Sequence, residues 1–469
     1  MASIDDNARM KFATILQQEC PGLEIETSAQ ILESHGRDWS DLPFARPSAV
    51  VFPETAEQAR ELVLAASKHG IPLVPSGGRT GLSGGAIAPS GEVIVSFDRM
   101  RRILDFDPVE RTVTVEPGVV TNTVQAFAEE KGLYYPVSFA AEGSSQIGGN
   151  IATNAGGVRV LRYGMTRDQV VGLKAVTGRG DLLDCNRGLI KNASGYDFRH
   201  LFIGSEGTLG FIVEATLQLV SPPQPSRVML LSLDDMDSVM SVFELFQSSL
   251  SLTAFEYFDA RSMCHVRDAS ELPAPLDGEY PLYVITEFDC PGDKQEQRAL
   301  DCFEKGLDEG WLNDGVMSQS VQQANELWRY REGIAEAAAR FAPYKNDLSV
   351  TISRVPKFIS GVRGELAKLC PDYDVLLYGH IGDGNLHINL IRPESETLEA
   401  FDARCHEITD VLSKLAGGMG GSASAEHGIG ILKAPWLGTT RSPEEIELMK
   451  GIKGLFDPAG ILNPGKLFQ

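Results

Sequence analysis

The sequence has no long uninterrupted apolar run. In 469 residues, no stretch approaches the roughly 18 uncharged apolar residues that indicate a membrane-spanning helix. The opening residues, 1–10, also lack the apolar core of a signal peptide. These two absences predict a protein without an integral membrane segment, and we expect it in the cytoplasm.

Cysteine is scarce and follows no pairing pattern. The seven cysteines are scattered and odd in number, and no two of them form a Cys-x-x-Cys motif. This usage argues against a disulfide framework, a zinc ribbon and an iron–sulfur cluster. A reducing compartment fits best, with most of the thiols buried as small apolar side chains.

Positive charge is in deficit. Lysine and arginine total 42 against 64 acidic residues, and the net charge is −22. This balance argues against binding to nucleic acid or to anionic membrane surfaces. It favours encounter with a protein that carries a basic patch, and an anionic substrate would need positive charge gathered locally. The chain is long enough for two or three domains with full cores.

The order of predicted elements divides the chain. Residues 1–42 form a helical lead-in. An α/β segment then opens with strands over 49–52 and 71–75, and the helix between them starts at a capping box on Thr55 and ends at Gly70. A proline-rich boundary at 221–225 separates a first domain, 43–222, from a second, 223–469. Strands over 228–233, 280–288 and 344–350 and helices over 325–340 and 397–415 are predicted in the second domain.

Glycine is concentrated in three clusters. Residues 70–210 hold 23 of the 47 glycines, mainly in the clusters 75–85, 143–157 and 204–210. Glycine permits a positive φ, and its missing side chain lets backbone N–H groups approach a phosphate. The clusters match neither Gly-x-Gly-x-x-Gly nor the Walker A motif, so flexible surface loops are the simpler alternative. Their number favours repeated backbone contact with one large ligand.

Two of the eight histidines lie in one predicted hairpin. The strands 374–378 and 386–390 flank an Asp-Gly turn, and His387 and Asn389 project from the same face of the second strand. The turn would fold His380 back towards them. The pair alone leaves both a metal site and ordinary buried or surface histidines open. The best third ligand is in the segment 424–428, which contains Glu426.

Six motifs in one order resemble a known family. They are residues 75–81, 143–157, 204–210, 378–389, 424–428 and 461–466. Together they resemble the FAD-linked oxidase and dehydrogenase family of vanillyl-alcohol-oxidase type. The resemblance implies an α+β fold, with a two-lobed PCMH-type FAD-binding domain and an α+β substrate domain that contains an antiparallel sheet. It also implies that a C-terminal segment returns to the flavin.

The same resemblance implies non-covalent FAD, because no histidine occurs between His69 and His200 to attach it. It places at the cofactor Pro75, Ser76, Gly77, Gly78, Arg79, Thr80, Gly81, Gly143, Ser144, Gly148, Gly149, Asn150, Thr153, Asn154, Gly156, Gly157, Glu206, Gly207 and Asn463.

The resemblance also assigns the reacting groups. His380, His387 and Glu426 would bind a metal, with Zn²⁺ expected and Mn²⁺ or Fe²⁺ open. His427 would be the general base that takes the hydroxyl proton of a small anionic 2-hydroxy acid, and Asn389 would orient the substrate carboxylate.

Two cationic side chains bear on the choice of substrate. Arg331 and Lys345 match anchors in the D-2-hydroxyglutarate branch of the family, since a diacid needs a second cationic contact. Ala335 departs from that branch, which leaves D-malate open, and D-lactate or glycolate would need one anion site only. A solvated helix face and a surface strand are the simpler reading of the two cations. A relative of another class, resembling alkyl-dihydroxyacetonephosphate synthase, would be a transferase without net redox change.

The sequence contains no nicotinamide-binding fingerprint. The resemblance therefore implies an electron-transfer flavoprotein or a quinone-linked carrier as the electron acceptor. It also allows a homodimer.

Overall fold

In a computed structural model of the protein, the described residues are 6–40 and 42–468. Residues 1–5, half of the stretch in which we found no signal peptide, lie outside them. The first of two compact units contains the described residues up to Gly157, then Gly164–Pro222, then the chain from Glu426 onward. The second contains Val158–Tyr163 and Pro223–Ala425. The boundaries proposed at residues 42 and 222 stay predictions. Every helix of the described part is too short or too polar to span a bilayer.

The helices of the described residues are α1 Asp6–Glu19, α2 Ala29–His35, α3 Ala56–His69, α4 Thr121–Glu130, α5 Ile147–Thr153, α6 Val160–Tyr163, α7 Thr166–Gln169, α8 Arg199–Phe202, α9 Met236–Ser249, α10 Ala260–Ser270, α11 Asp293–Asp308, α12 Val321–Ala339, α13 Val355–Leu369, α14 Leu398–Gly418, α15 Leu437–Thr440 and α16 Pro443–Phe456. Short 3₁₀ helices cover Ile352–Arg354 and Ala434–Trp436.

The strands of the same residues are β1 Glu24–Glu26, β2 Ala49–Phe52, β3 Leu73–Ser76, β4 Val93–Ser96, β5 Ile103–Asp107, β6 Thr112–Val115, β7 Val170–Thr177, β8 Leu182–Arg187, β9 Gly210–Gln218, β10 Ser226–Leu233, β11 Leu252–Asp259, β12 Leu282–Asp289, β13 Asp314–Met317, β14 Tyr344–Ser349, β15 Asp374–Gly379 and β16 Asn385–Ile391.

The first unit is built on two sheets of the described chain. A four-stranded sheet has the order β1-β2-β4-β3, in which β2, β4 and β3 run parallel. An antiparallel five-stranded sheet has the order β5-β6-β9-β7-β8. The first glycine cluster follows the carboxyl end of β3, which is where open parallel sheets commonly bind ligands.

Helix α3 shows how local sequence sets the ends of a helix and the side that it buries in the first unit. The Thr55 hydroxyl accepts a hydrogen bond from the Gln58 backbone N–H at 3.1 Å, and Gly70 ends the helix at φ 65°. The Gln58 side chain accepts from Glu54 rather than from Thr55, so the capping box that we expected is half formed. The apolar stripe that includes Leu62 and Val63 is fully buried in the core of this unit.

The N-terminal lead-in is not purely helical. Residues Glu24–Glu26 form β1, which pairs antiparallel with β2. Leu16, Cys20 and Leu23 are buried in the same core as α3. A three-residue strand between polar side chains carries too weak a periodic pattern for sequence reasoning to detect.

The second unit is built on one antiparallel sheet, as the resemblance implied. Its seven described strands have the order β13-β10-β12-β11-β15-β16-β14. Side chains of α12, including Leu327 and Ile334, share a core cluster with Leu230 on β10 and Phe258 on β11. The helices predicted over 325–340 and 397–415 are present as α12 and α14. Strand β11 was not predicted, although all eight of its residues are buried.

Candidate active site

The glycine clusters of the first unit line one cavity. Its walls come from the loop after β3, the residues around α5 and the loop before β9. The expected cofactor residues that line it are Pro75, Ser76, Gly77, Gly78, Arg79, Thr80, Gly81, Gly148, Gly149, Asn150, Thr153, Gly156, Glu206 and Gly207. Glu426 and His427 also line it.

Close backbone approach explains two of these glycines. A Cβ added at Gly78 would lie 2.1 Å from the carbonyl oxygen of Ser144, so the first two clusters touch backbone to backbone. A Cβ at Gly148 would lie 2.7 Å from the Cβ of Pro117. A Cβ at Gly149, by contrast, would meet open space. The residues around the cavity therefore fit a large ligand that is held against bare backbone, which is the contact that an FAD diphosphate requires.

Five expected cofactor residues are not among the described lining residues. Gly143 and Ser144 precede α5, and Asn154 ends it with φ 53°. Gly157 is packed against the Ser138 carbonyl. Asn463, at φ 42°, donates its Nδ2–H groups to the carbonyl oxygens of Gly85 and Glu206 at 3.0 and 2.6 Å. These residues shape the loops that form the wall.

Asp98 joins the first two glycine clusters. Its carboxylate accepts hydrogen bonds from Gln146 at 2.6 Å and from Arg101 at 2.7 Å, and it pairs with His35 at 3.3 Å and Arg79 at 3.5 Å. Burial acts to raise the pKa of Asp98. The hydrogen bonds from His35 and Arg101 and the charge of Arg79 outweigh burial, and the pKa lies well below its usual range. Arg79 and Gln146 belong to different clusters, so one carboxylate fixes both.

Glu206 and Ser83 fix the loop that carries His427. The two carboxylate oxygens of Glu206 accept hydrogen bonds from the backbone N–H groups of Ile429 and Gly430, each at 2.7 Å. The Ser83 hydroxyl donates to the His427 carbonyl at 2.8 Å. Burial raises the pKa of Glu206, and the two N–H groups oppose that shift. The position of His427 therefore depends on the glycine-rich loops.

In the second unit, β15 and β16 form the hairpin that the sequence predicted. Tyr378 pairs with His387 across the ladder. The rings of His380 and His387 lie with centroids 5.3 Å apart, and a ligand nitrogen of one lies within 4.8 Å of a ligand nitrogen of the other. The turn thus folds His380 back, as we expected.

Each of these histidines has a buried carboxylate at its Nδ1. The Nδ1–H of His380 donates to Glu256 on β11 at 2.9 Å. The Nδ1 of His387 lies 3.9 Å from Asp347 on β14, its cross-strand partner. Glu256 is 1% exposed and Asp347 is fully buried. A carboxylate at Nδ1 favours the tautomer in which Nε2 can bind a metal, and metal-binding histidines usually have such a partner. These residues fit a divalent cation that takes nitrogen ligands.

Asp347 also fixes the chain before Glu426. Its carboxylate accepts from Asn385 Nδ2 at 2.9 Å and from the backbone N–H of Ala425 at 3.2 Å. Ala425 is the last residue of the second unit and is bonded covalently to Glu426, the first residue of the last segment of the first unit.

The expected substrate residues lie along the face of the seven-stranded sheet on which Tyr378 and Asn389 project. Arg331 NH2 lies 2.8 Å from Glu256, and its guanidinium stacks 4.9 Å from the ring centre of Tyr378. Asn389 donates to the Tyr378 hydroxyl at 2.9 Å. Lys345 is the cross-strand partner of Asn389 and is exposed. The Nε of Arg331 is buried and has no hydrogen-bond acceptor in the described chain.

Sequence reasoning missed the supporting residues. Glu256, Asp347, Tyr378 and Asp98 were given no role, and β11 was not recognised. One signal was present, since Glu256 is the one acid in the largely apolar and aromatic run of residues 252–258. A carboxylate inside such a run must find a cationic or hydrogen-bonding partner.

Comparison with known proteins agrees with these features. Residues 47–186 match the family described as FAD binding domain, and residues 222–467 match FAD linked oxidases, C-terminal domain. The chain is 52% identical over 454 residues to a D-2-hydroxyglutarate dehydrogenase of Xanthomonas citri pv. viticola, covering 97% of this chain and 96% of the relative.

Two solved structures share the fold at low identity. One is p-cresol methylhydroxylase with substrate bound, at TM-score 0.76 and 16% identity, covering 98% of this chain and 96% of the other. The second is alkyldihydroxyacetonephosphate synthase, at TM-score 0.70 and 18% identity, covering 99% and 86%. The two matched domains span most of the sequence, and the chain belongs to the family of FAD-linked oxidases.

Proposed function

We propose that this protein is an FAD- and metal-dependent D-2-hydroxyacid dehydrogenase that oxidises D-2-hydroxyglutarate to 2-oxoglutarate. The observation that carries the proposal is the row of polar side chains on one buried sheet face of the second unit. His387 and Asn389 lie on β16, His380 follows the end of the adjoining β15, and Arg331 reaches the same face through Tyr378. The identity to a bacterial D-2-hydroxyglutarate dehydrogenase supports the choice of substrate.

The proposed metal ligands are His380, His387 and Glu426. Two imidazoles and one carboxylate suit Zn²⁺ with an open position, and Mn²⁺ or Fe²⁺ accept the same donors. A bound divalent ion would polarise the hydroxyl of a 2-hydroxy acid and lower its pKa. Glu256 accepts a hydrogen bond from His380, and Asp347 lies 3.9 Å from the Nδ1 of His387, so each ring has the kind of carboxylate neighbour that metal-binding histidines usually have.

His427 is the proposed base. Its backbone is fixed by Ser83, and it lines the cavity proposed for FAD. In this role it removes the hydroxyl proton as the C2–H bond breaks. When bound, FAD accepts the hydride at N5. In the same scheme, Asn389 orients the C1 carboxylate of the substrate.

The second carboxylate of the substrate is assigned to Arg331 and Lys345. The buried Arg331 has an Nε donor without an acceptor, which a carboxylate can supply. Lys345, exposed on β14, adds a point charge at the end of the same row. Ala335 lacks the hydroxyl group that the animal enzymes of the D-2-hydroxyglutarate branch have at this position, so D-malate is the main competing diacid. D-lactate and glycolate test whether the second anchor matters.

The fold by itself does not choose the reaction, because it is shared with alkyldihydroxyacetonephosphate synthase. The histidine pair, with His380 buried and His387 partly buried, favours hydroxy-acid oxidation over a transferase without net redox change. We further propose an electron-transfer flavoprotein or a quinone-linked carrier as acceptor, a cytoplasmic location and a homodimer.

The test is a substrate panel on protein of known flavin and metal content. Under anaerobic conditions, D-2-hydroxyglutarate should bleach the flavin absorbance faster than D-malate, D-lactate or glycolate, and prior treatment with EDTA should abolish bleaching by D-2-hydroxyglutarate. Restoration by added Zn²⁺, Mn²⁺ or Fe²⁺ identifies the metal. Bleaching by D-lactate or glycolate alone would overturn the diacid assignment, and full activity after verified metal removal would overturn the metal.

A further inference from the structure

Glu256 is a buried carboxylate with two partners of different kinds. It lies on β11, where all eight residues are buried, and is itself 1% exposed. The Nδ1 of His380 lies 2.9 Å from Oε1 and 2.8 Å from Oε2, and Arg331 NH2 lies 2.8 Å from Oε2. A carboxylate removed from water in this way is unfavourable unless both oxygens are engaged.

The surroundings of Arg331 and His380 explain why both residues need the Glu256 carboxylate. Arg331 is 6% exposed and has the Tyr378 ring against its guanidinium. Its ionic partner within the described residues is Glu256. His380 is 7% exposed, and it follows the end of β15, where a turn begins. Without an acceptor at Nδ1, the ring would lose its preference for one tautomer and one orientation.

We propose that Glu256 is a positioning residue that couples the metal site to substrate recognition. Its carboxylate holds His380 with Nε2 directed to the metal, and through Oε2 it also holds Arg331 with its remaining donors directed to the substrate carboxylate. This inference rests on the proposed function, because it concerns the same metal and the same substrate. It adds that a single side chain sets both the affinity for metal and the KM for the diacid.

The simpler alternative is that Glu256 only neutralises Arg331. The two accounts differ in what happens at the metal, since neutralising a guanidinium has no effect on the tautomer of His380. Glu287 provides a matched control on the adjacent strand β12. It is 7% exposed, accepts a hydrogen bond from Trp328 Nε1 on α12 at 3.0 Å, and pairs with Arg159 at 3.5 Å.

The experiment compares Glu256→Gln and Glu287→Gln with the wild-type holoenzyme. A glutamine side chain in place of Glu256 would lack the negative charge that faces His380 and Arg331, and an NH2 donor would replace one of the two acceptor oxygens. Metal content is measured after equilibration with graded chelator, and KM and kcat are measured separately in excess metal. We expect Glu256→Gln to lower metal affinity about 10- to 100-fold and to raise KM for D-2-hydroxyglutarate, whereas Glu287→Gln keeps wild-type metal affinity.

A second measurement needs no variant of Glu256. In ¹⁵N-histidine-labelled wild type stripped of metal, the His380 signal, assigned by its loss in His380→Asn, should show a protonated Nδ1 and an unprotonated Nε2. The opposite tautomer, or wild-type metal affinity in Glu256→Gln, would overturn the inference. A wild type that binds no metal or oxidises no hydroxy acid would instead overturn the proposed function, so the two failures are distinguishable.

Discussion

Substitution of Gly78 by alanine tests whether the two glycine clusters are held together backbone to backbone. The added Cβ would lie 2.1 Å from the Ser144 carbonyl oxygen and 2.9 Å from the Ser145 Cα. Both obstacles are backbone, so no side-chain rotation can relieve the clash, and one loop must shift. Overpacking of this kind costs roughly 1–3 kcal/mol.

The expected result follows from that free energy. A loss of about 1 kcal/mol lowers the melting temperature by roughly 2–4 °C in domains of 150–250 residues, so a fall of about 2–12 °C is expected. If the shift opens the FAD cavity, FAD affinity should fall roughly 5- to 150-fold. Thermal unfolding followed by tryptophan fluorescence gives the first quantity, and equilibrium release of flavin fluorescence gives the second.

Two neighbouring glycines supply the controls. In Gly77→Ala the new Cβ would have ordinary contacts of 3.6 Å with Gln146, and the melting temperature should not change. In Gly149→Ala it would meet open space within α5, which should leave the fold intact while the methyl group weakens FAD binding. A Gly78→Ala protein with wild-type melting temperature and FAD affinity would refute the reasoning. A Gly77→Ala protein whose melting temperature falls as much as that of Gly78→Ala would also refute it.

Three further substitutions test other contacts. Asp98→Asn should destabilise the protein by about 1–3 kcal/mol at pH 7. Because the pKa of Asp98 is depressed by folding, the difference from wild type should shrink as pH falls below about 4 in denaturant titrations. A constant difference would contradict the ionic role. Glu206→Gln should lower kcat more than FAD affinity, because it loosens the loop that carries His427, and equal losses would show a direct cofactor role. Lys345→Met should raise KM for D-2-hydroxyglutarate only about two- to fivefold, since Lys345 is exposed, and should leave D-lactate kinetics unchanged.

The hairpin around the histidines could be predicted from sequence because its signals are local. Alternation over residues 386–390 and the Asp-Gly turn specify two strands and the side on which His387 and Asn389 project. The structure has this hairpin as β15 and β16. The long amphipathic helix α14 was predicted for the same reason, since its apolar stripe repeats with helical period.

The residues that support the site, such as Glu256 and Asp98, could not be predicted because they contact residues that are distant in sequence. Glu256 reaches His380 across 124 residues, and Asp98 reaches Gln146 across 48. No local pattern shows that an acid in a buried strand will meet a particular histidine. Strand β11 was missed because it is buried on both faces, so its sequence has no alternation of apolar and polar residues. The strand order that brings Glu256 beside His380 is a property of the whole sheet.

The charges around the site lead to a prediction about metal removal. Around the histidine pair, the second unit has the carboxylates of Glu256 and Asp347 and the cations Arg331 and Lys345. It also has Asp383, whose pKa burial raises to about 6, so that it is largely ionised at pH 7. Three carboxylates against two cations leave this part of the site negative without a bound ion, and a dicarboxylate would be repelled.

A divalent ion offsets that negative charge, so its removal should weaken diacid binding and not only the chemical step. Isothermal titration of 2-oxoglutarate into chelator-treated and metal-restored protein measures this directly, with pyruvate as the monocarboxylate control. We expect chelation to weaken 2-oxoglutarate binding by a larger factor than pyruvate binding. The net negative charge of the site repels both carboxylates of 2-oxoglutarate, whereas pyruvate has only one. An equal loss for both ligands would show that the metal contributes only direct coordination, and that the surrounding charges do not select the diacid.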